Sequence, residues 1–504
     1  MRFSKFACCF AILFSACTCF AQMYTMTDLG TLNVPGFYPW AYPQSLNNSG
    51  QVVGYIIQSD PYHAFRTAPN IPINPETDDI GMLLDSSWNV WANAINDSGQ
   101  VAGSVYKSDG TTAFAFRTAP NSPINLATDN LGSVLGSGWN TSAVSINNSG
   151  QVVGSASKSD GTTSFGFRTA PNNPINPSTD DLGLCSPTAL NDSGQVVGLF
   201  NIGSNTVYHA FRTAPNSPFT PATDDLGSVL GSGWYTSATN INNSGQVIGY
   251  AYKSDGSGAF AFRTAPNSRI NPATDDIGGL LGSYYSGDYF SGWATSAFDI
   301  NSSGEVVGYS IVDCSQNQSC QGPGPEYRAF IYSGGTMNDL NDLVPPLDRD
   351  HWYRYLMFAT AINDVGQIVG YHGDFRPGIG DTYTGYLLTP IYKAFIQQPI
   401  NADGSSVFAA KRGVIPVKFA VTQYGTQSSC TLPATIAITR TAGGTLGSID
   451  ESIYSMSADN GSNFRIDSCR YVYNLAASAL GVGTYRVDIS MNGIMVGHTA
   501  FALK

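Results

Sequence analysis

The sequence predicts an all-β chain: a seven-bladed β-propeller closed by its own N-terminal strand, then an immunoglobulin-like β-sandwich. Three observations carry this reading: a short turn that recurs seven times, a small residue followed by an aromatic at one register of every repeat, and repeat ends that are incomplete in complementary ways.

The turn reads NNSGQVVG from Asn47, NDSGQVAG from Asn96, NNSGQVVG from Asn147, NDSGQVVG from Asn191, NNSGQVIG from Asn242, NSSGEVVG from Asn301 and NDVGQIVG from Asn363. Asn, Asp, Ser and Gly tolerate positive φ and bond their own backbone, while the flanks favour strands, so each copy marks a β-hairpin. The longer programme is clearest from Ser142 to Gly183, where SAVSI leads into the turn, QVVGSAS leaves it, SDG turns again, TTSFGFRTA forms a third strand and DDLG follows. Four short strands per unit, with turns 44 to 62 residues apart, are the signature of a propeller blade.

The third strand carries Ala64 Phe65, Ala115 Phe116, Gly166 Phe167, Ala210 Phe211, Ala261 Phe262, Ala329 Phe330 and Gly385 Tyr386, as close-packed neighbouring sheets require. A fourth-strand motif begins at Asp28, Asp79, Asn130, Asp181, Asp225, Asp276 and, loosely, Asp339. The first of these precedes the first turn, and the last turn is followed by TGYLLTPI with no fourth strand. The strand from Tyr24 is therefore expected to complete the last blade and hide two edges. An open β-solenoid could use the same repeats but gives no reason for complementary ends.

The DLGTL start, the repeated INNSGQVVGY and the small-plus-aromatic third strand resemble the bacterial extracellular HAF repeat family over about residues 24–391. That resemblance implies a secreted location and transfers no catalytic residue. From about Gln397 to Lys504 the chain resembles a short bacterial domain named for its PxKF motif, here Pro416, Val417, Lys418 and Phe419, with YVYNL and GTYRV downstream. Alternating strands and the Asn492 Gly493 hairpin point independently to a sandwich. The expected domains are a signal peptide at 1–21, the repeats at 22–393 and the sandwich at 394–504.

The leader has a basic start, an apolar run and a small residue at Ala21. Lipidation of Cys17 is the second reading, since Phe14 stands where lipoprotein signals carry Leu. Removing Arg2 and Lys5 with the leader takes the formal charge from −12 to −14, which repels phosphate backbones and excludes nucleic acid as the expected partner. Only 12% of residues are charged and 42% are hydrophobic, which suits turn-rich extracellular β structure rather than disorder. No later apolar run reaches the ~20 residues of a membrane span.

Five cysteines follow the leader. Cys314 and Cys320 are expected to pair across SQNQS, and Cys430 with Cys469, closing a loop of about 40 residues worth roughly 3 to 4 kcal/mol in the chain-entropy model. Cys185 is left over, as a small buried residue.

No reaction centre emerges from the sequence, so no catalytic residue, cofactor or metal is expected. There is no GxSxG, and His63, His209, His351, His372 and His498 never fall at metal-ligand spacing. His63 and His209 share one third-strand slot, which favours packing. Asp109, Asp160 and Asp255 lie in SDG hairpin turns without the alternating acids of a calcium loop.

The repeats depart most from their own pattern in the late links. One holds Tyr284, Tyr285, Asp288, Tyr289 and Phe290; another Asp348, His351, Trp352 and Tyr353; a third Asp374 and Arg376. Elaborated loops on a rigid scaffold are where binding resides, so these residues form the candidate face for a glycan or protein ligand. All seven tryptophans, Trp40, Trp88, Trp91, Trp139, Trp234, Trp293 and Trp352, fall on interblade links. Trp88, Trp139, Trp234 and Trp293 each stand eight residues before a turn Asn, a fixed register that favours packing. The expected function is a secreted or cell-surface, non-enzymatic binding or adhesive protein. The alternative is a polysaccharide-active enzyme using Asp288, Asp348 and Asp374, which requires two carboxyls about 5 to 10 Å apart.

Overall fold

The first asparagine of each turn holds it closed. In the turn after residues 40–46, Asn47 Oδ1 accepts from Gln51 N at 3.0 Å and Ser49 Oγ at 2.7 Å, while its amide donates to Gln51 Oε1 at 2.9 Å. Gly50 takes φ +83°, which side-chain-bearing residues rarely adopt. The second conserved glycine answers a different demand. The inner strand of each repeat bulges just before its turn, between Pro43 and Ser45 in the first repeat, and this drives a backbone carbonyl toward the strand beside it. A Cβ on Gly54 would collide with Tyr42 O, and one on Gly154 with Ser142 O.

The computed structural model describes residues 24–32, 40–57, 61–84, 87–202, 207–280, 295–313, 325–344, 355–374, 382–409, 413–423, 426–427, 432–442, 457–491 and 494–504. It is an all-β chain of many small antiparallel sheets. Repeat 1 comprises Trp40–Leu46, Val52–Ile57 and His63–Arg66; repeat 2, Trp88–Ile95, Val101–Lys107 and Ala113–Arg117; repeat 3, Trp139–Ile146, Val152–Lys158, Ser164–Arg168 and Asp181–Gly183. Repeat 4 comprises Cys185–Leu190, Val196–Asn201 and Tyr208–Arg212; repeat 5, Trp234–Ile241, Val247–Lys253 and Ala259–Arg263. Repeat 6 comprises Thr295–Ile300, Val306–Asp313, Pro325–Ser333 and Thr336–Asp339. Repeat 7 comprises Tyr355–Ile362, Ile368–Asp374 and Thr382–Pro390, and its fourth strand is Tyr24–Gly30 from the start of the chain, paired in register from Tyr24↔Pro390 to Asp28↔Tyr386.

The repeats are stitched in a closed cycle. The Asn47 amide donates to Asn96 O at 3.2 Å, Asn96 to Asn147 O at 3.1 Å and Asn147 to Asn191 O at 3.1 Å. Asn191 donates to Asn242 O at 3.1 Å, Asn242 to Asn301 O at 3.0 Å, Asn301 to Asn363 O at 3.3 Å and Asn363 back to Asn47 O at 3.0 Å. Farther out, third-strand arginines reach the next repeat, as Arg168 does in donating to Gly194 O at 3.1 Å and Ser217 O at 3.0 Å.

The small-plus-aromatic pairs are core. Phe65, Phe116, Phe167, Phe211, Phe262, Phe330 and Tyr386 are all 0% exposed. Glycine replaces alanine in repeats 3 and 7 because the following inner strand brings a proline there: a Cβ on Gly166 would meet Pro187 at 2.8 Å, and one on Gly385 would meet Pro43 at 2.7 Å.

The expected four-strand unit is not regular. A fourth strand forms in repeats 3, 6 and 7, whereas repeats 1, 2, 4 and 5 keep single bridges, Phe65↔Asp79, Phe116↔Asn130, Phe211↔Asp225 and Phe262↔Asp276. The motif's acid or amide bonds the residue two places on in both kinds of repeat, Asp79 accepting from Gly81 N at 2.8 Å where only a bridge forms and Asp181 from Gly183 N at 2.6 Å where a strand forms, so this local turn is common to all and does not decide the pairing.

Beyond Pro390 two further sheets face each other. One orders Tyr392–Gln397, Val414–Gln423, Arg470–Ala476 and Arg465–Asp467; the other orders Val407–Phe408, Ile494–Leu503, Gly483–Met491 and Ala434–Ala442. Phe408, Ile415, Val417, Phe419, Tyr471, Val487, Ile489 and Phe501 fill the space between them. Among the described residues no helix is long and apolar enough to cross a membrane.

Candidate functional site

Each inner strand runs from the interrepeat links to the recurring turns, so the ring has two chemically different ends. At the turn end the seven repeats surround an opening of about 170 Å³. Its second tier is Asn48, Asp97, Asn148, Asp192, Asn243, Ser302 and Asp364. Its carboxylates are already engaged: Asp97 accepts from Asn48 N at 2.9 Å and from Asn148 Nδ2 at 3.1 Å, Asp192 from Asn148 N at 2.9 Å and Asn243 Nδ2 at 2.8 Å, and Asp364 from Ser302 N at 2.8 Å. These groups join the repeats. Among the described residues, no group of three or more His, Cys, Asp or Glu is placed to hold a metal ion.

Next to Ile300, which lines this opening, Asp299 ties three repeats together. It accepts from Asn240 Nδ2 of repeat 5 at 2.6 Å, from Ile300 N at 2.8 Å and from Ile362 N of repeat 7 at 2.8 Å. Burial, aided by the neighbouring Asp364 charge, pushes its carboxyl up to about 7 against the pull of the two backbone N–H groups.

At the other end, one register position is aromatic across three successive junctions, and repeat 5 carries a separate stack of Tyr235, Tyr252 and Tyr250. Five residues before each turn Asn stand Tyr42, Trp91, Ser142, Ser186, Ser237, Ser296 and Phe358; eight residues after it stand Tyr55, Ser104, Ser155, Leu199, Tyr250, Tyr309 and Tyr371. The register pairs these across inner and second strands, as in Tyr42↔Tyr55 and Ser142↔Ser155. Between repeats 2 and 3 this position is a serine pair, Ser104 and Ser142, with hydroxyls 3.0 Å apart. Between repeats 6 and 7 it is Tyr309 with Phe358, between 7 and 1 Tyr371 with Tyr42, and between 1 and 2 Tyr55 with Trp91, at ring centroid separations of 5.1, 5.0 and 5.6 Å. Tyr327, Tyr62, Tyr106, Trp40 and Tyr383 extend this arc of rings.

A cavity of about 580 Å³ lies within it, lined by Trp40, Tyr42, Phe358, Tyr371 and Tyr383. Trp40 meets Tyr383 at 87°, Tyr42 meets Tyr371 at 78° and Tyr371 meets Tyr383 at 89°, so several walls stand at right angles. Burial and neighbouring phenols push Tyr42 and Tyr371 well above the usual tyrosine range, which keeps both hydroxyls neutral. Trp91 remains 36% exposed.

The structure describes little of the sequence-predicted face. Tyr284, Tyr285, Asp288, Tyr289, Asp348, His351, Trp352, Tyr353 and Arg376 lie outside the described residues, as do Cys314, Cys320 and Cys430; Asp374 ends the strand Ile368–Asp374. Trp40, Trp88, Trp91, Trp139 and Trp234 sit in inner strands rather than on links, because pairing runs farther toward the link end than the turn pattern implied, as in Trp139↔Lys158. Trp88, Trp139 and Trp234 do pack, against Phe114, Phe165 and Phe260. His63 and His209 bond Asp79 and Asp225 at 2.7 and 2.9 Å, tying the third strand to the chain that follows it. Cys185 is half-buried, and its thiol is pushed up to about 12 by burial and Asp181. Asp109, Asp160 and Asp255 cap their own turns by accepting from Thr111, Thr162 and Ser257 N.

No protein-family model matches the chain, and no curated protein matches it. Among solved structures it is similar to prolyl oligopeptidase B from Galerina marginata, bound to a 35mer hydrolysis and macrocyclization substrate, at 10% identity and a TM-score of 0.29. That likeness covers 90% of this chain and 55% of the other, and at this distance it says nothing of activity.

Proposed function

We propose that the chain is a secreted or cell-surface binding protein without catalytic activity, built as a seven-bladed β-propeller closed by its N-terminal strand, with an immunoglobulin-like sandwich from about residue 394. Its ligand is held at the link end, against the aromatic arc of repeats 6, 7, 1 and 2. One observation carries this: at equivalent positions, three successive repeat junctions hold ring pairs where the next holds Ser104 and Ser142. Packing alone does not require this asymmetry, since the serine junction also closes, with the Ser104 and Ser142 hydroxyls in contact. Partly exposed rings such as Trp91 offer flat apolar faces to a ligand. The Cys430–Cys469 bridge belongs to the same reading, supported by Cys469 being bonded rather than a free thiol.

Arrays of glycans, peptides and bacterial surface fragments, probed with the mature chain at several salt concentrations, test this. Retention of a ligand that is lost in Trp91→Ala and Tyr55→Ala supports the arc as the site. No retention of any ligand counts against a binding role, and unchanged retention by both variants moves the site elsewhere.

A further inference from the structure

We infer, resting on the binding reading above, that the cavity between Trp40, Tyr42, Phe358, Tyr371 and Tyr383 is an aromatic cage for an organic cation of the quaternary ammonium class. All five described residues that line this cavity are aromatic, and none of them is charged. Ring faces carry the negative side of an aromatic quadrupole, which attracts a cation placed over them. A carboxylate-lined pocket would serve a compact, strongly hydrated cation; rings alone serve a diffuse, weakly hydrated one whose methyl groups also gain from apolar walls.

Geometry separates this class from a neutral sugar. A sugar stacks on a platform of coplanar faces, whereas here Trp40 and Tyr383, Tyr42 and Tyr371, and Tyr371 and Tyr383 cross at 87°, 78° and 89°, with Tyr42–Tyr383 and Phe358–Tyr371 at 33° and 25°, so the rings present a concave surface of differently turned faces. The cavity, about 580 Å³, falls in the range of small-molecule sites. The chain's formal charge of −12 adds a long-range pull on cations and disfavours acidic ligands.

Calorimetric titration of the mature chain tests the cage, using choline chloride, tetramethylammonium chloride and the neutral carbon isostere of choline, in which a quaternary carbon replaces nitrogen. Both cations should bind, and the isostere should bind about tenfold more weakly. Tyr371→Leu, which removes one wall, should weaken choline about tenfold. Tyr371→Phe keeps the ring and should stay close to the parent, and circular dichroism confirms that both variants are folded. Phosphatidylcholine vesicles separate the sources: retention that free choline competes away assigns a lipid headgroup, and choline binding without retention assigns a soluble or glycan-borne group.

The inference is overturned if neither cation binds, if the isostere binds as tightly as choline, or if choline binding survives Tyr371→Leu. In each of these cases, an array ligand lost in Trp91→Ala leaves the wider binding role standing, so the two failures are distinguishable.

Discussion

Removing the N-terminal strand should cost the repeat array most of its stability. Tyr24 and Leu29 are both 0% exposed, and they belong to different packing clusters: Tyr24 lies with Leu340, Leu356 and Tyr386, and Leu29 with Ala41, Phe65 and Leu387. The strand is paired along its length with Thr382–Pro390, and Tyr24 N also donates to Leu343 O at 3.1 Å. About half a dozen ladder hydrogen bonds at ~1 kcal/mol net each, with two buried side chains at ~1.5–3 kcal/mol each, amount to about 10 kcal/mol. That rivals the ~5–15 kcal/mol by which native domains are stable. A chain starting at Pro35 should therefore aggregate or unfold at far lower urea than one starting at Gln22, followed by tryptophan fluorescence and size-exclusion chromatography. Tyr24→Ala alone should cost about 3–5 kcal/mol. If the shortened chain unfolds at the same midpoint as the mature protein, closure by this strand is wrong, and an open array becomes the better description.

The other expectations are more local. Gly154→Ala should destabilise by several kcal/mol, because its Cβ collides with Ser142 O in a bulge that cannot relax; urea unfolding checks it, and a neutral effect would refute the bulge argument. Stability should fall as pH rises from about 4 to 7 because the Asp299 carboxyl, with a folded pKa near 7, holds a proton that the unfolded chain has released. A three-unit shift corresponds to at most about 4 kcal/mol. Asp299→Ala should flatten that part of the pH profile whatever its absolute stability. The Cys185 thiol should stay unreactive to Ellman's reagent at pH 8 in the native protein and react promptly in urea. Ending the chain near residue 394 should leave the unfolding of the repeats unchanged.

What the sequence made legible was what the repeats multiply. A turn as short as NNSGQVVG is fixed by local chemistry, so Asn47 and its six counterparts could be read as hairpin turns before their cyclic bonding was seen. The pairing of Tyr24–Gly30 with Thr382–Pro390 was legible from a missing fourth strand at one end and a spare one at the other. The irregular fourth strand was not, because DLG reads alike at Asp181 and Asp225 and each Asp bonds the glycine two residues on, yet only the first pairs as a strand. The aromatic arc escaped for another reason. Within one repeat, Tyr42 or Phe358 is an ordinary strand aromatic with nothing to set it apart from a core ring. Aligning the residue five places before each turn Asn, which runs Tyr, Trp, Ser, Ser, Ser, Ser, Phe, would have exposed the break in symmetry.

The most direct test of a binding site at the aromatic end is a crystal structure of the mature chain grown with choline chloride. Density for the trimethylammonium group should lie between Trp40, Tyr42, Phe358, Tyr371 and Tyr383, over the faces of their rings. Choline density at the opening lined by Asn48, Asp97, Asp192 and Asp364, with the aromatic cavity empty, would contradict it.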